Sequence, residues 1–278
     1  MSLPPLHISA ILRQYDLHLK KSLGQNFLTS EDALQAIVRA SEANNTETVL
    51  EIGPGIGSLT RHLAVAAKRV VAVELDDSLI PALQEIVAPF PHVEIVHGDI
   101  LKVDLPTLLG SDAYMVVANI PYYITSAVIR RCLETPVKPK KMILTIQKEV
   151  ARRICQQPGD MSLLALSVQV YGNPKVLFDI PAGAFFPPPK VDSSVLAIEL
   201  YENPLIHIDD LDEFFRWIKA GFSQKRKKLR NSLSAGLHTS PAAIEEIFMA
   251  ADIDPQRRAE TLSIAEWQQI ITAAKKTR

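Results

Sequence analysis

Thr48-Val49-Leu50-Glu51-Ile52-Gly53-Pro54-Gly55-Ile56-Gly57 decides the fold. Its first five residues form a short apolar run, read as a strand buried on both faces. The alternating glycines that follow let a backbone approach a ligand with no side chain in the way. Working outward, the same pattern recurs downstream. Arg69-Val70-Val71-Ala72-Val73 ends at Glu74, Val93-Glu94-Ile95-Val96 ends at Gly98-Asp99, and Tyr114-Met115-Val116-Val117-Ala118 ends at Asn119-Ile120-Pro121-Tyr122. Met142-Ile143-Leu144-Thr145-Ile146 makes a fifth strand. Helix-length segments separate these runs, which predicts parallel βαβ units. Upstream, Thr29-Ser30-Glu31-Asp32 reads as a capping box ahead of Leu34, Ile37 and Val38 on one helical face. Two further strands are predicted at 165–171 and 194–200, on either side of Phe185-Phe186-Pro187-Pro188-Pro189. That loop is too long for a tight hairpin, and its prolines stiffen it. The special residues of the parallel units stand at C-terminal strand ends, the edge that carries the ligand in open α/β sheets.

After Tyr201-Glu202-Asn203-Pro204 the character changes. Leu211, Phe214, Phe215, Ile218 and Phe222 recur at helical spacing, a basic run follows, and two more amphipathic helices are predicted. The expected organisation is an α/β domain over 1–204, with an N-terminal arm over 1–28, and a small all-α domain over 205–278. The 278 residues are 47% hydrophobic and 22% charged, which excludes disordered and low-complexity classes. Thirty Lys and Arg against 31 Asp and Glu give a net charge of −1, so any nucleic-acid signal must be local. Cys132 and Cys155 are too few and too far apart for a disulfide framework or a zinc site. The seven histidines are scattered, and no metal is expected. The N-terminus lacks the basic start, apolar core and cleavage site of a secretory signal, and no run reaches the roughly 18 apolar residues of a membrane span. A soluble cytoplasmic protein, without membrane contact, is expected.

Glu74 lies twenty-one residues beyond Gly53, where an acid accepts hydrogen bonds from ribose hydroxyls. This pair fits any nucleoside cofactor, NAD included; the alternative is a mere tight turn. The dinucleotide fingerprint, however, places its third Gly or Ala where this chain has Ser58, with the third glycine displaced to Gly57. Asp99 reads either as an acceptor for an exocyclic adenine amine or as a helix N-cap. Asn119-Ile120-Pro121-Tyr122 is the sharpest signal. Proline removes an N–H, leaving a carbonyl and an amide side chain to accept from one NH2 group, and the tyrosine ring can stack on the base. That combination suits a flipped-out adenine; the alternative is an Asn-x-Pro turn with a core tyrosine.

Together, Glu51-x-Gly53-x-Gly55-x-Gly57, Glu74, Asp99 and Asn119-Ile120-Pro121-Tyr122 resemble a class I S-adenosylmethionine-dependent methyltransferase acting on adenine N6. Lys20-Lys21-Ser22-Leu23-Gly24-Gln25-Asn26-Phe27-Leu28 resembles the N-terminal motif of the ribosomal RNA adenine dimethyltransferases. Phe186-Pro187-Pro188-Pro189-Lys190-Val191-Asp192-Ser193 and Phe222-Ser223-Gln224-Lys225-Arg226-Lys227-Lys228-Leu229-Arg230-Asn231 resemble that family's later motifs. The match spans roughly residues 18–265, in order, and is nearest the small-subunit branch; the run of three prolines is its one unusual feature. The resemblance implies an α/β fold: a Rossmann-like, mostly parallel sheet with an antiparallel edge, plus a helical C-terminal domain. It implies S-adenosyl-L-methionine held by Asn26, Leu28, Gly53, Glu74, Asp99 and Asn119, with Gln25 and Phe27 in the same segment. It also implies a target adenine handled by Asn119 and Tyr122 and faced from the other side by Phe186.

The implied reaction is N6,N6-dimethylation of two adjacent adenosines near the 3′ end of 16S rRNA, within an immature small ribosomal subunit, by a monomeric enzyme. Three positive clusters fit that partner: Lys20 with Lys21, Lys148 with Arg152 and Arg153, and Lys225, Arg226, Lys227, Lys228 and Arg230. Each reads either as a solvated face or as a set of phosphate contacts. The last, with five basic residues in six, favours RNA, whose splayed bases suit flipping. Competing readings are the family's large-subunit branch and a DNA adenine methyltransferase, whose motif commonly begins Asp-Pro-Pro-Tyr. An assembly factor that keeps the fold without methyl transfer is a further alternative. A nicotinamide oxidoreductase fits least.

Overall fold

The computed structural model describes residues 3–110, 113–224 and 226–277. They form two units, one of residues 1–151 and 174–200, the other of 152–173 and 201–278. Strands of the first are β1 (Phe27–Leu28), β2 (Thr48–Ile52), β3 (Arg69–Glu74), β4 (Val93–His97), β5 (Tyr114–Asn119), β6 (Lys141–Gln147), β7 (Gly172–Ile180, entering from the second unit), β8 (Phe185–Phe186) and β9 (Ser193–Leu200). Its helices are α1 (Ile8–Gln14), α2 (Glu31–Ser41), α3 (Thr60–Ala66), α4 (Ile80–Val87), α5 (Leu105–Leu109) and α6 (Thr125–Glu134), with α7 (Lys148–Ile154) leading out of it.

Seven strands make one sheet in the order β4-β3-β2-β5-β6-β9-β7. The five apolar runs are its parallel part, and β9 joins β6 antiparallel, from Lys141↔Glu199 to Gln147↔Ser193. All five β2 residues are buried, as expected of a strand covered on both faces. From β2 the chain moves outward through β3 and β4, then returns to build β5 on the other side of β2. The order therefore reverses between β2 and β5, and the crevice beyond their carboxyl ends is where such sheets bind ligands. The N-terminal arm is packed: Ile8 and Leu12 of α1 join Phe27, Ile56, Leu79 and Ala82 in one buried cluster.

Two local expectations shift. Residues 165–171 are not a strand. Ser162 caps helix α8 (Leu163–Gln169), accepting the Ala165 N–H at 3.1 Å, and the sheet resumes only at Gly172. Leu166-Ser167-Val168-Gln169-Val170 alternates apolar and polar residues as a strand does; here an N-cap and a Leu-Leu-Ala-Leu start favour the helix. At α2 the cap is Ser30, which accepts from Ala33 N at 3.3 Å, while the Thr29 hydroxyl donates to the Ala184 carbonyl. The capping signal therefore lies one residue later than Thr29.

In the second unit, α8 is joined by α9 (Leu211–Phe222), α10 (Leu229–Leu237), α11 (Pro241–Ala250) and α12 (Ile264–Lys276), so three helices rather than two follow the basic run. Leu211, Phe214 and Ile218 bury the predicted face of α9, and Trp267 of α12 is fully enclosed. The expected boundary at 204 differs from this division, because 152–173 belong with the helices. Tyr171 stacks on Phe215 with ring centroids 6.2 Å apart, and the Gly159 and Met161 N–H groups donate to the Glu260 carbonyl. Among the described residues no helix is long and apolar enough to cross a membrane.

A Cβ added at Gly236 on α10 would lie 2.7 Å from Ala220 Cβ and 2.8 Å from its Cα on α9. Helix propensity favours alanine over glycine by about 1 kcal/mol, but overpacking costs roughly 1–3 kcal/mol, and a backbone neighbour cannot swing aside. Gly236→Ala is expected to lower the denaturant midpoint of the protein, followed by circular dichroism.

Candidate active site

One pocket opens at the carboxyl end of the sheet, and Gly53 after β2, Glu74 ending β3, Asp99 after β4 and Asn119 ending β5 all line it. Asn26 and Leu28, from the arm and β1, line it too, so the six expected cofactor residues come together. Tyr122 joins them; Phe186 does not. β8 pairs with β1 in the register Phe27↔Phe186 and Leu28↔Phe185, and successive side chains of a strand face opposite ways. Phe185 is buried and lines the pocket, whereas Phe186 is 40% exposed.

The glycine loop is shaped by close approaches. Gly55 has φ +62°, and a Cβ there would fall 2.7 Å from the Phe27 ring, so the arm lies directly on the loop. Gly57 has φ +93°, and its Cβ would lie 3.0 Å from Leu83 of α4. The displaced third glycine thus serves helix packing. Glu74 Oε2 accepts the Gly55 N–H at 2.9 Å and Oε1 accepts the Asp76 N–H at 2.8 Å. Burial pushes its carboxyl up, and the N–H groups of Asp76, Gly55 and Leu75 hold that shift back. Each oxygen keeps a further lone-pair direction, the requirement for binding a ribose diol. Asp99 caps its own turn, accepting from Leu101 N at 3.0 Å, while still lining the pocket.

Asn119 Nδ2 donates to the Asn26 carbonyl at 3.1 Å. That bond orients the amide and leaves Oδ1 as an acceptor. The Tyr122 hydroxyl is 2.7 Å from Ser193 Oγ of β9, which fixes the half-buried ring.

Several important residues carried no signal of their own in the sequence. Asp76, 2% exposed, receives Lys20 Nζ at 2.6 Å, Gln25 Nε2 at 2.6 Å and the Ser78 hydroxyl at 2.6 Å. Burial would raise its pKa, but Lys20, Ser78 and Gln25 outweigh that and bring it below the ordinary value. Lys20 therefore clamps the arm to the end of β3. Lys148 likewise pairs with Asp179 at 2.6 Å, Lys228 donates to Gln256, and Arg230 pairs with Glu245. Arg152, Arg153, Arg226 and Lys227 are exposed, and Lys225 and the side chain of Lys21 lie outside the described residues. No cluster of three or more His, Cys, Asp or Glu able to hold a metal occurs among the described residues.

Glu51 is 1% exposed, and its Oε2, like the hydroxyls of Ser58 and Thr60, has no hydrogen-bond partner. Burial pushes its carboxyl up to about 8, opposed by the Thr60 hydroxyl and reinforced by Glu74. The Thr60 contact falls short of a hydrogen bond, so burial dominates.

The ribosomal RNA adenine dimethylase family matches residues 17–276 of this chain. A ribosomal RNA small subunit methyltransferase A of Dehalococcoides mccartyi (strain CBDB1) is 46% identical over 261 residues, covering 94% of this chain and 90% of the relative. One from Shouchella clausii is 42% identical over 278 residues, covering 97% and 94%. Among solved structures, the 23S rRNA methyltransferase ErmE matches with TM-score 0.72 and 27% identity over 90% of this chain and 100% of that one. A dimethyladenosine transferase from Plasmodium falciparum, 24% identical over 90% and 98% of the two chains, shares the fold with TM-score 0.79.

An acid whose folded pKa lies above its unfolded value binds its proton more tightly when folded. Its stabilisation is complete below the unfolded pKa and is lost as pH rises through the folded one. Glu51→Gln removes that dependence. The melting temperature of the variant relative to wild type is expected to rise from pH 5 to pH 8, checked by differential scanning fluorimetry without cofactor.

Proposed function

The chain belongs to the ribosomal RNA adenine dimethylase family, and on that premise we propose that it transfers methyl groups from S-adenosyl-L-methionine to N6 of two adjacent adenosines near the 3′ end of 16S rRNA, in the immature small ribosomal subunit. It is a small-subunit rRNA adenine dimethyltransferase. The observation that carries the chemistry is the Asn119 amide, anchored through Nδ2 so that Oδ1 alone is left to accept from an amine. Relatives named for the small subunit, matched along nearly the whole chain, support that branch over the large-subunit one. The third glycine stands at Gly57, one residue before the position the dinucleotide fingerprint requires, which disfavours a nicotinamide site.

The pocket fits the cofactor by its donor set. Glu74 would hold the ribose hydroxyls and Asp99 the adenine amine, and the Gly53 turn, which has no side chain, would leave room for the rest of the cofactor. Glu51 Oε2 and Ser58 Oγ are buried pocket-lining acceptors still without partners. Such orphans are costly unless a ligand satisfies them, and a cationic ligand suits a buried acid. When bound, the cofactor supplies an electrophilic methyl carbon on a positively charged sulfur.

The protein's part is positioning. The N6 lone pair of adenine is drawn into its ring, which makes it a poor nucleophile. Acceptance of its N–H by Asn119 Oδ1 favours a more tetrahedral nitrogen with its lone pair aimed for in-line displacement. The Tyr122 ring, fixed by Ser193, carries the flipped base, with Phe186 as the exposed aromatic that meets it from outside. Orientation of this kind is the main catalytic term, with no metal required. The exposed Arg152, Arg153, Arg226 and Lys227 are the phosphate contacts, and the enzyme works as a cytoplasmic monomer.

Small subunits lacking the modification and naked large-subunit RNA should be compared as acceptors with labelled cofactor. Dimethyladenosine is expected near the small-subunit 3′ end; label only on large-subunit RNA would move the protein to the other branch, and none on either would favour an assembly factor. Asn119→Ala should lower methylation by about 100-fold or more, as when one preorganised polar partner is removed, while small-subunit binding persists. Replacing Arg226 and Lys227 by alanine should weaken small-subunit binding and reduce the slope of log K against log salt by about 2, whereas Lys148→Ala, which removes an already paired charge, changes the slope less.

A further inference from the structure

We propose that Tyr123 is a stacking platform for the nucleotide next to the target adenosine, an RNA-positioning residue at the pocket mouth; this rests on the adenine-methylating reading of the site. Tyr122 and Tyr123 share one 3-10 turn, Tyr122–Ile124, but their situations differ. The first is anchored by Ser193. The second lines the same pocket yet is 56% exposed, and among the described residues its hydroxyl has no hydrogen-bond partner. The ring is nevertheless supported. Gly24, at φ +59°, approaches so closely that a Cβ there would lie 3.4 Å from Tyr123 Cδ1 and 3.6 Å from Cε1. Leu23 to Leu28 also line the pocket, so the arm that holds the cofactor side backs this ring as well.

An aromatic ring held from one side and open to water on the rest asks for a flat partner. Extruding one of two adjacent adenines supplies one, because it breaks the stack and bares a face of the base left behind. Stacking that base on Tyr123 recovers part of the lost stacking without reading its identity, since every base has a π-face. The reaction needs this tolerance, because the neighbour is an adenosine before its own methylation and a dimethyladenosine after it.

The test uses the full-length enzyme with small subunits lacking the modification, comparing Tyr123→Ala, Tyr123→Leu and Tyr123→Phe. Ala and Leu are expected to raise KM for small subunits about tenfold, the typical effect of losing one base–aromatic stack, while kcat and the cofactor Kd from calorimetry stay near wild type. Phe should match wild type, because the ring and not the hydroxyl is used. Leu performing as well as Phe would reduce the role to apolar packing and overturn the proposal. So would an unchanged KM in all three, or a cofactor Kd weakened in step with KM, which would make Tyr123 a wall of the cofactor pocket. A wild-type enzyme that does not methylate small subunits would overturn the adenine-methylating reading itself, whereas active wild type with unaffected variants removes only Tyr123.

Discussion

Glu74 Oε2 accepts the Gly55 N–H and Oε1 accepts the Asp76 N–H, so one buried carboxylate ties the glycine loop after β2 to the turn after β3. Gly53, Gly55 and Gly57 all have positive φ, and the N–H of the middle one needs this acceptor, because a buried donor left unpaired is costly. With Gly55 held, the Phe27 ring can lie on it, and Phe27 brings Ile8 and Leu12 of the arm into a common cluster with Ile56. With Asp76 held, its own carboxylate is placed to receive Lys20 and Gln25 from the other end of the same arm. The pocket wall made by residues 23–28 is thus a consequence of how β2 and β3 end.

In a chain of net charge −1, several cations of the basic clusters are committed to internal pairs. Lys20 and Lys148 neutralise Asp76 and Asp179, and Arg230 faces Glu245, so charges that look like RNA contacts along the chain are internal clamps. The half-exposed Lys20–Asp76 pair contributes less through attraction than through geometry, because water screens the lysine while the aspartate is enclosed. Arg152, Arg153, Arg226 and Lys227 are exposed. In the proposed reaction, recognition would draw on splayed and stacked bases as well as on phosphate attraction.

Asn119 shows the same economy in the chemistry. Its amide is oriented by the Asn26 carbonyl of the arm, so the arm and the end of β5 are joined through one side chain, and in the proposed reaction that side chain is the one that receives the adenine amine. An amide held at both its backbone and its Nδ2 has little freedom to lose on binding a ligand.

Much of this was legible in the residues. Apolar runs located the parallel strands, and Gly53, Glu74, Asp99 and Asn119 had to meet at one sheet edge because parallel strands present the same end. Helix α8 was not legible as such, because Leu166 to Val170 alternates apolar and polar residues as a strand does; the Ser162 cap makes it a helix, and Tyr171 just beyond it stacks on Phe215. Phe185 and Phe186 are adjacent and alike; only the pairing of β8 with β1 put the first in the pocket and left the second exposed. The sequence by itself determined the five parallel strands and the edge at which Gly53, Glu74, Asp99 and Asn119 meet, since these follow from periodicity and chain direction. The tertiary structure alone decided which cations are spent on internal carboxylates, which aromatic faces the pocket and where the second unit begins, because each depends on a neighbour far away in the chain.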